Sequence, residues 1–369
     1  MKIAILLPYK ENFSPEYPGA VSLFVHETSK ISKYKNSISV FGNTNFKKKF
    51  NLKYTNINTK KEFFNSQTKN YVNNFIKLER KNNSTIIEVH NRPSYIHIIN
   101  SNIKNKILTL YFHNDPLTMD GSKTIKQRKE LLKICYKIIF NSSWSKKRFL
   151  EGLENKFINS NKLAIFYQSA QRGNLNLLKN KKKWITFVGK LNKAKGYDVF
   201  VKSIKKILNK YKDWRALIIG DEKREKILLN HKNASVLGFK KHSEVVNIFK
   251  KTSITVACSR WEEPFGRTSL EASANGCAVI ITNRGGLPET VTDARILKNL
   301  SEKNLTKEIS NLINDEKLRK SLQSRSIKNF YLTHKYVSQK IDDYRSEKLS
   351  LGKTFYLKNK NKKLRILHV

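Results

Sequence analysis

Acidic side chains are scarce in this 369-residue chain: 29 Asp and Glu stand against 73 Lys and Arg, a formal net charge of +44. Three sources of such an excess compete: nucleic-acid binding, attraction to an anionic membrane surface, and a compositional drift toward lysine and asparagine. The basic residues are spread along the whole length with Asn and Ile abundant beside them, which assigns most of the charge to drift and part of it to a membrane surface. Cysteine is scarcer still. Cys135, Cys258 and Cys277 are odd in number, sit in apolar surroundings and lack metal-ligand spacing. They exclude a disulfide framework and read as reduced core residues of a cytosolic protein. No segment approaches the ~20 consecutive apolar residues that cross a bilayer. Any membrane contact is therefore expected to be peripheral, at an inner membrane face. The opening MKIAILLPYK is too short in its apolar run for a signal peptide and reads as a first buried strand.

What is present is a globular composition, 39% hydrophobic and 11% aromatic, in a length that suits two domains. Strand signals alternate with helical ones, the pattern of doubly wound α/β domains. Ile3–Leu7 is followed by a loop from Pro8 to Gly19 and a helix from Val21 to about Ser32, but the dinucleotide fingerprint G-x-G-x-x-G is missing. Ser39–Gly42 reads as a strand, and Asn45–Asn58 as a mobile connection or hairpin. A helix ends near Asn83. Thr85–Val89 runs into His90-Asn91-Arg92-Pro93, and Leu108–Phe112 into His113-Asn114-Asp115-Pro116. Two strands that each end in His-Asn place polar groups where open α/β sheets collect ligands, beyond the carboxyl ends of their strands. No D-x-D accompanies them, so no metal is expected.

Ile138–Ser142 reads as the last strand of a first domain spanning residues 1–170, and Ser145–Leu150 opens a helix. Residues 171–183 turn polar and are expected to link to a second domain, 184–330. Within it, strand Trp184–Val188 leads to Gly189-Lys190-Leu191-Asn192-Lys193-Ala194-Lys195-Gly196 and a helix through Leu208. Ala216–Ile219 is a further strand, and a helix is expected around Glu244–Lys250. Residues 331–369 hold a closing helix, for which His334–Tyr344 fits, and a basic tail from Gly352. That tail packs on the first domain, touches a membrane, or begins a further unit.

The densest chemistry lies between Ser253 and Glu289. Strand Ile254–Cys258, helix Phe265–Asn275 closed by Gly276, and strand Ala278–Thr282 form one unit. Glu263 stands in the loop before the helix and Glu271 two turns into it. Between them Phe265 and Gly266 offer amides at the positive end of the helix dipole, where phosphate is favoured. Sugar, diphosphate and ribose is the ligand with that order of groups. Lys190 and Lys195, in register with Gly189 and Gly196, can aim two ammonium groups at a departing diphosphate.

Glu263-Pro264-Phe265-Gly266, Leu270-Glu271-Ala272, Gly276 and Arg284-Gly285-Gly286-Leu287-Pro288-Glu289 together resemble the E-x7-E signature of retaining GT-B glycosyltransferases, family 4 in particular. The resemblance implies two Rossmann-like doubly wound domains facing a central cleft. It implies sugar transfer from a nucleotide-sugar to a cell-envelope saccharide or lipid-linked acceptor, with retention, no metal and no cofactor. Glu263 would face the donor sugar and Glu271 the ribose, with Lys190 and Lys195 on the diphosphate. Gly19 would lie near the phosphates, His113 beside the donor sugar, and His90 and Arg92 toward the acceptor. Val236-Leu237-Gly238-Phe239 would pass beside the base, where Phe239 either stacks or belongs to the core. The closing helix would return to the first domain. The competing readings are a basic nucleic-acid-binding protein, which lacks any helix-turn-helix, zinc-finger or RNP-like signature, and a catalytically idle sugar-nucleotide binder.

Overall fold

Two fully parallel sheets account for the strands, and each repeats one strand order. The computed structural model describes residues 2–59 and 66–347, and the basic tail from Gly352 lies outside them. The first unit comprises residues 1–141, 145–166 and 334–369, and the second residues 142–144 and 167–333. The polar stretch 171–183 thus falls inside the second unit, where Leu175–Asn180 forms short helical turns.

The first sheet contains β1 (Ile3–Leu6), β2 (Ile38–Gly42), β3 (Tyr54–Asn56), β4 (Ile86–His90), β5 (Ile107–Phe112), β6 (Lys137–Phe140) and β7 (Leu163–Ile165), in the order β3-β2-β1-β4-β5-β6-β7. Its helices are α1 (Ala20–Ser29), α2 (Gln67–Asn82), α3 (Pro93–Asn102), α4 (Ile125–Ile134) and α5 (Ser143–Leu150). Two expectations change here. Asn45–Asn58 is no hairpin, because Tyr54–Asn56 pairs in parallel with Val40–Gly42. Ile138–Ser142 is not the last strand, because β7 pairs beyond it. Both additions are three-residue edge strands, partly exposed, with too little apolar pattern to announce themselves.

The second sheet contains β8 (Lys182–Val188), β9 (Arg215–Ile219), β10 (Ala234–Val236), β11 (Thr252–Ala257), β12 (Ala278–Thr282) and β13 (Ala294–Leu297), in the order β10-β9-β8-β11-β12-β13. Its helices are α6 (Tyr197–Lys210), α7 (His242–Lys251), α8 (Arg267–Ala274), α9 (Glu302–Asn314) and α10 (Glu316–Lys328). Alternate residues of β12 enter different cores: Ala278 and Ile280 pack with Ile185, Phe200 and Ile254, whereas Val279 and Ile281 pack with Phe249 and Leu287. A strand covered on both faces needs an unbroken apolar run, and AVIIT supplies one.

Residues 334–347 form a further helix, α11, which belongs to the first unit. Asp342 accepts from Ser32 Oγ at 2.6 Å, and Arg345 grips Glu88 on β4 with two hydrogen bonds of 2.7 and 2.8 Å. The expected return of the closing helix to the first unit is held by these buried charges.

Candidate functional site

In each sheet the strand order reverses between two central strands, β1 and β4 in one and β8 and β11 in the other. The loops leaving their carboxyl ends diverge at such a point and leave room for a ligand. In the second unit those loops are Gly189–Gly196 and Cys258–Gly266, which carry Lys190, Lys195, Glu263, Phe265 and Gly266.

Lys195 closes a short helical turn whose first amide partner is Asn192: the Asn192 side chain accepts from Lys195 N at 3.0 Å. Gly196 follows at φ +71°, and a Cβ there would stand 2.0 Å from the Cys258 carbonyl oxygen. Only glycine permits that approach, and the approach brings the β8 loop onto the end of β11. Ala194 O then accepts from Arg260 N and Trp261 N. The consequence is a contact between residues 68 apart in sequence: Lys195 Nζ lies 2.5 Å from Glu263 Oε1. Ser259 Oγ donates to the same oxygen at 2.5 Å. The Glu263 side chain is 11% exposed and that of Lys195 32%, so the carboxylate is fixed while the ammonium keeps access to solvent.

Helix α8 begins two residues later than expected. Gly266 is its N-cap at φ +116°, outside the helical region, so Phe265 precedes the helix and is buried. Glu271 therefore sits one turn into α8, where Arg267, four residues before it, places Nε 2.6 Å from Oε1. His242 Nε2, at the start of α7, lies 2.7 Å from the same oxygen. Burial pushes the Glu271 carboxyl up, but Arg267 and the hydrogen bond with His242 outweigh it and hold the group below the ordinary carboxylate range. Glu271 is thus an anion gripped on one oxygen. Lys190 is exposed, and its ammonium makes no ion pair with a described residue. Phe239 is 45% exposed and so is not a core residue.

In the first unit, β4 and β5 bring His90 and His113 together. His90 Nδ1 and His113 Nε2 are 3.0 Å apart, both rings are buried, and His90 stacks on Tyr111 with centroids 4.3 Å apart. The Asn91 side chain accepts from the amides of His113 and Asn114 at 3.1 Å. Arg92 caps α3 from outside and donates to Asn91 O at 2.7 Å. Gly19 leaves space that Glu11 fills: its carboxylate would lie 2.3 Å from an added Cβ, and it accepts from Ser22 N at 2.8 Å. Glu11 therefore caps the start of α1, and burial pushes its carboxyl above the ordinary range.

Burial pushes the His113 imidazole down to about 3, and burial, then His113 and Arg345, holds His90 well below its ordinary 6.5. The unfolded chain then binds protons that the folded chain refuses. The stabilisation is whole above about pH 6.5 and is lost as pH falls toward the folded value. For His113 alone the loss at pH 5 is about 2 kcal/mol. Urea unfolding of wild type between pH 7 and 5 should show that extra drop, and His113→Phe should lack it; equal drops would remove the imidazole as the cause.

Sequence reasoning selected Lys195 and Glu263 but missed Ser259, Arg267 as a side-chain partner, and His242. The i,i+4 spacing of Arg267 and Glu271 was a readable signal. His242, 29 residues from Glu271, gave none.

The chain is 25% identical over 247 residues to spore coat protein SA of Bacillus subtilis (strain 168), covering 58% of this chain and 64% of that protein. It is 31% identical over 121 residues to the lipopolysaccharide core biosynthesis mannosyltransferase LpsB of Rhizobium meliloti (strain 1021), covering 30% and 34%. The chain spans less than two thirds of the length of these curated relatives. Its fold is that of Anabaena HepE solved with UDP-glucose, at a TM-score of 0.74, 14% identity, and coverage of 94% of this chain and 100% of that one. Residues 172–329, which hold Lys190, Lys195, Glu263 and Glu271, match the family model described as Glycosyl transferases group 1. Over that segment the chain is similar to the group 1 glycosyl transferases, and its two doubly wound sheets have the GT-B fold of the solved structures it resembles.

Proposed function

We propose that this chain transfers a sugar from a nucleoside-diphosphate sugar to a saccharide or lipid-linked acceptor, with retention of configuration. The observation that carries this reading is the joining of Lys195 to Glu263 at the carboxyl ends of β8 and β11. The sugar C1–O bond to the diphosphate breaks, the acceptor oxygen bonds to C1, and the acceptor proton passes to the leaving phosphate. Charge then grows on the diphosphate, and cations placed in advance stabilise it. Lys195 is one such cation, and the exposed Lys190 is the second. Glu263 orients the donor sugar and Glu271 the ribose. In the first unit His113 serves the donor sugar, and His90 and Arg92 line the acceptor side.

A cell-envelope acceptor is supported by the lipopolysaccharide pathway named for LpsB and by the excess of basic residues, which suits an anionic membrane surface. No helix among the described residues is long and apolar enough to cross a membrane, so such contact would be peripheral. UDP-, GDP- and ADP-sugars assayed for nucleotide release, with and without membrane extracts as acceptor, test the reading. Release from one class of donor, increased by the extract, is the expected result; no release from any donor would defeat it.

A further inference from the structure

Both groups that hold Glu263 act on Oε1, and they differ in how firmly they are committed. Ser259 is 4% exposed, and its own backbone is fixed because Thr282 Oγ1 donates to Ser259 O at 2.7 Å. Lys195 reaches the same atom on a flexible four-carbon stem that remains a third exposed. The Glu263 backbone is fixed from a third side: Gly286 N donates to Glu263 O at 2.6 Å, and Gly285, at φ +58°, would put a Cβ 2.2 Å from that carbonyl oxygen. Oε2 makes no hydrogen bond with a described residue.

From this asymmetry we infer that Ser259 is a positioning residue, which keeps Glu263 Oε2 directed to the donor sugar when Lys195 turns from the carboxylate to the diphosphate. The inference rests on the transferase reading above. An ammonium cannot give its full charge to the leaving group while also serving as the sole tether of the carboxylate. A buried hydroxyl on Oε1 separates the two tasks. It accepts no charge in the reaction and touches no reacting atom; its effect runs through the carboxylate alone.

Removing a tether that fixes a reacting geometry costs on the order of 10- to 100-fold in rate when the group it holds can drift by about an ångström. Ser259→Ala should therefore lower kcat by roughly 10- to 100-fold, with Kd for UDP, measured by calorimetry, within twofold of wild type. In a Lys195→Ala background, where Ser259 is the last side-chain donor on Oε1, Ser259→Ala should cost a larger factor than it does alone. The assay is nucleotide release from UDP-glucose and GDP-mannose by the full chain, with thermal melting of each variant to show that it is folded. If wild type turns over and Ser259→Ala retains its kcat within twofold, Ser259 has no positioning role. Equal loss of UDP affinity and kcat would also overturn it, since that is the mark of a merely structural hydroxyl. A wild type inert on every donor instead removes the transferase reading, and this inference with it.

Discussion

Lys195→Ala is expected to lower sugar transfer by roughly 100- to 1,000-fold, the range found when one preorganised charge-stabilising group is removed from a reacting site. Its effect on folding should be small. The pair with Glu263 is a third exposed on the lysine side, and partly exposed ion pairs contribute about 1 kcal/mol or less. After the substitution Glu263 still accepts from Ser259 Oγ and keeps some access to water, so no buried charge is orphaned. Initial rates of nucleotide release set beside a thermal melt separate the two effects. An unchanged rate would take Lys195 out of the mechanism, and a collapsed melt would make it a structural residue.

The largest effect on stability is expected at the opposite kind of pair. Arg345 on α11 and Glu88 on β4 are 3% and 1% exposed, joined by two hydrogen bonds, with Asp342 Oδ1 a further 3.3 Å from the guanidinium. Taking two charges out of water is costly, and such a pair is balanced only while both members are present. Arg345→Ala leaves Glu88 buried without its cation, and should cost about 3–5 kcal/mol. Pairing it with Glu88→Gln removes the orphaned charge and should recover part of the loss. Urea unfolding followed by tryptophan fluorescence measures both. A loss below about 1 kcal/mol for the single variant would show that Glu88 finds another partner or water.

The central strands were legible because they are buried on both faces and so carry continuous apolar runs: Ala278–Thr282 coincides with the expected strand, and the strand expected at Ile254–Cys258 is observed at Thr252–Ala257. The edge strands β3 and β7 were not, since three residues at a sheet edge gain their conformation from a neighbour's backbone rather than from their own pattern. Helix α8 starts at Arg267 rather than at the expected Phe265 because the positive φ of Gly266 postpones the helix.

By itself the sequence determined the alternation of strand and helix, the division into two units and the small set of polar and glycine residues, from Gly189 to Gly196 and from Glu263 to Glu271, that we propose for a sugar nucleotide. Those features are local: burial periodicity, glycine positions and spacing within one loop. Tertiary structure alone decided which charges meet. Lys195 finds Glu263, His242 finds Glu271, His90 finds His113 and Arg345 finds Glu88 because parallel strands are joined by long crossovers that bring distant loops to one end of a sheet. One-dimensional pattern records that a residue is buried or polar, and the order of strands decides what it is buried against.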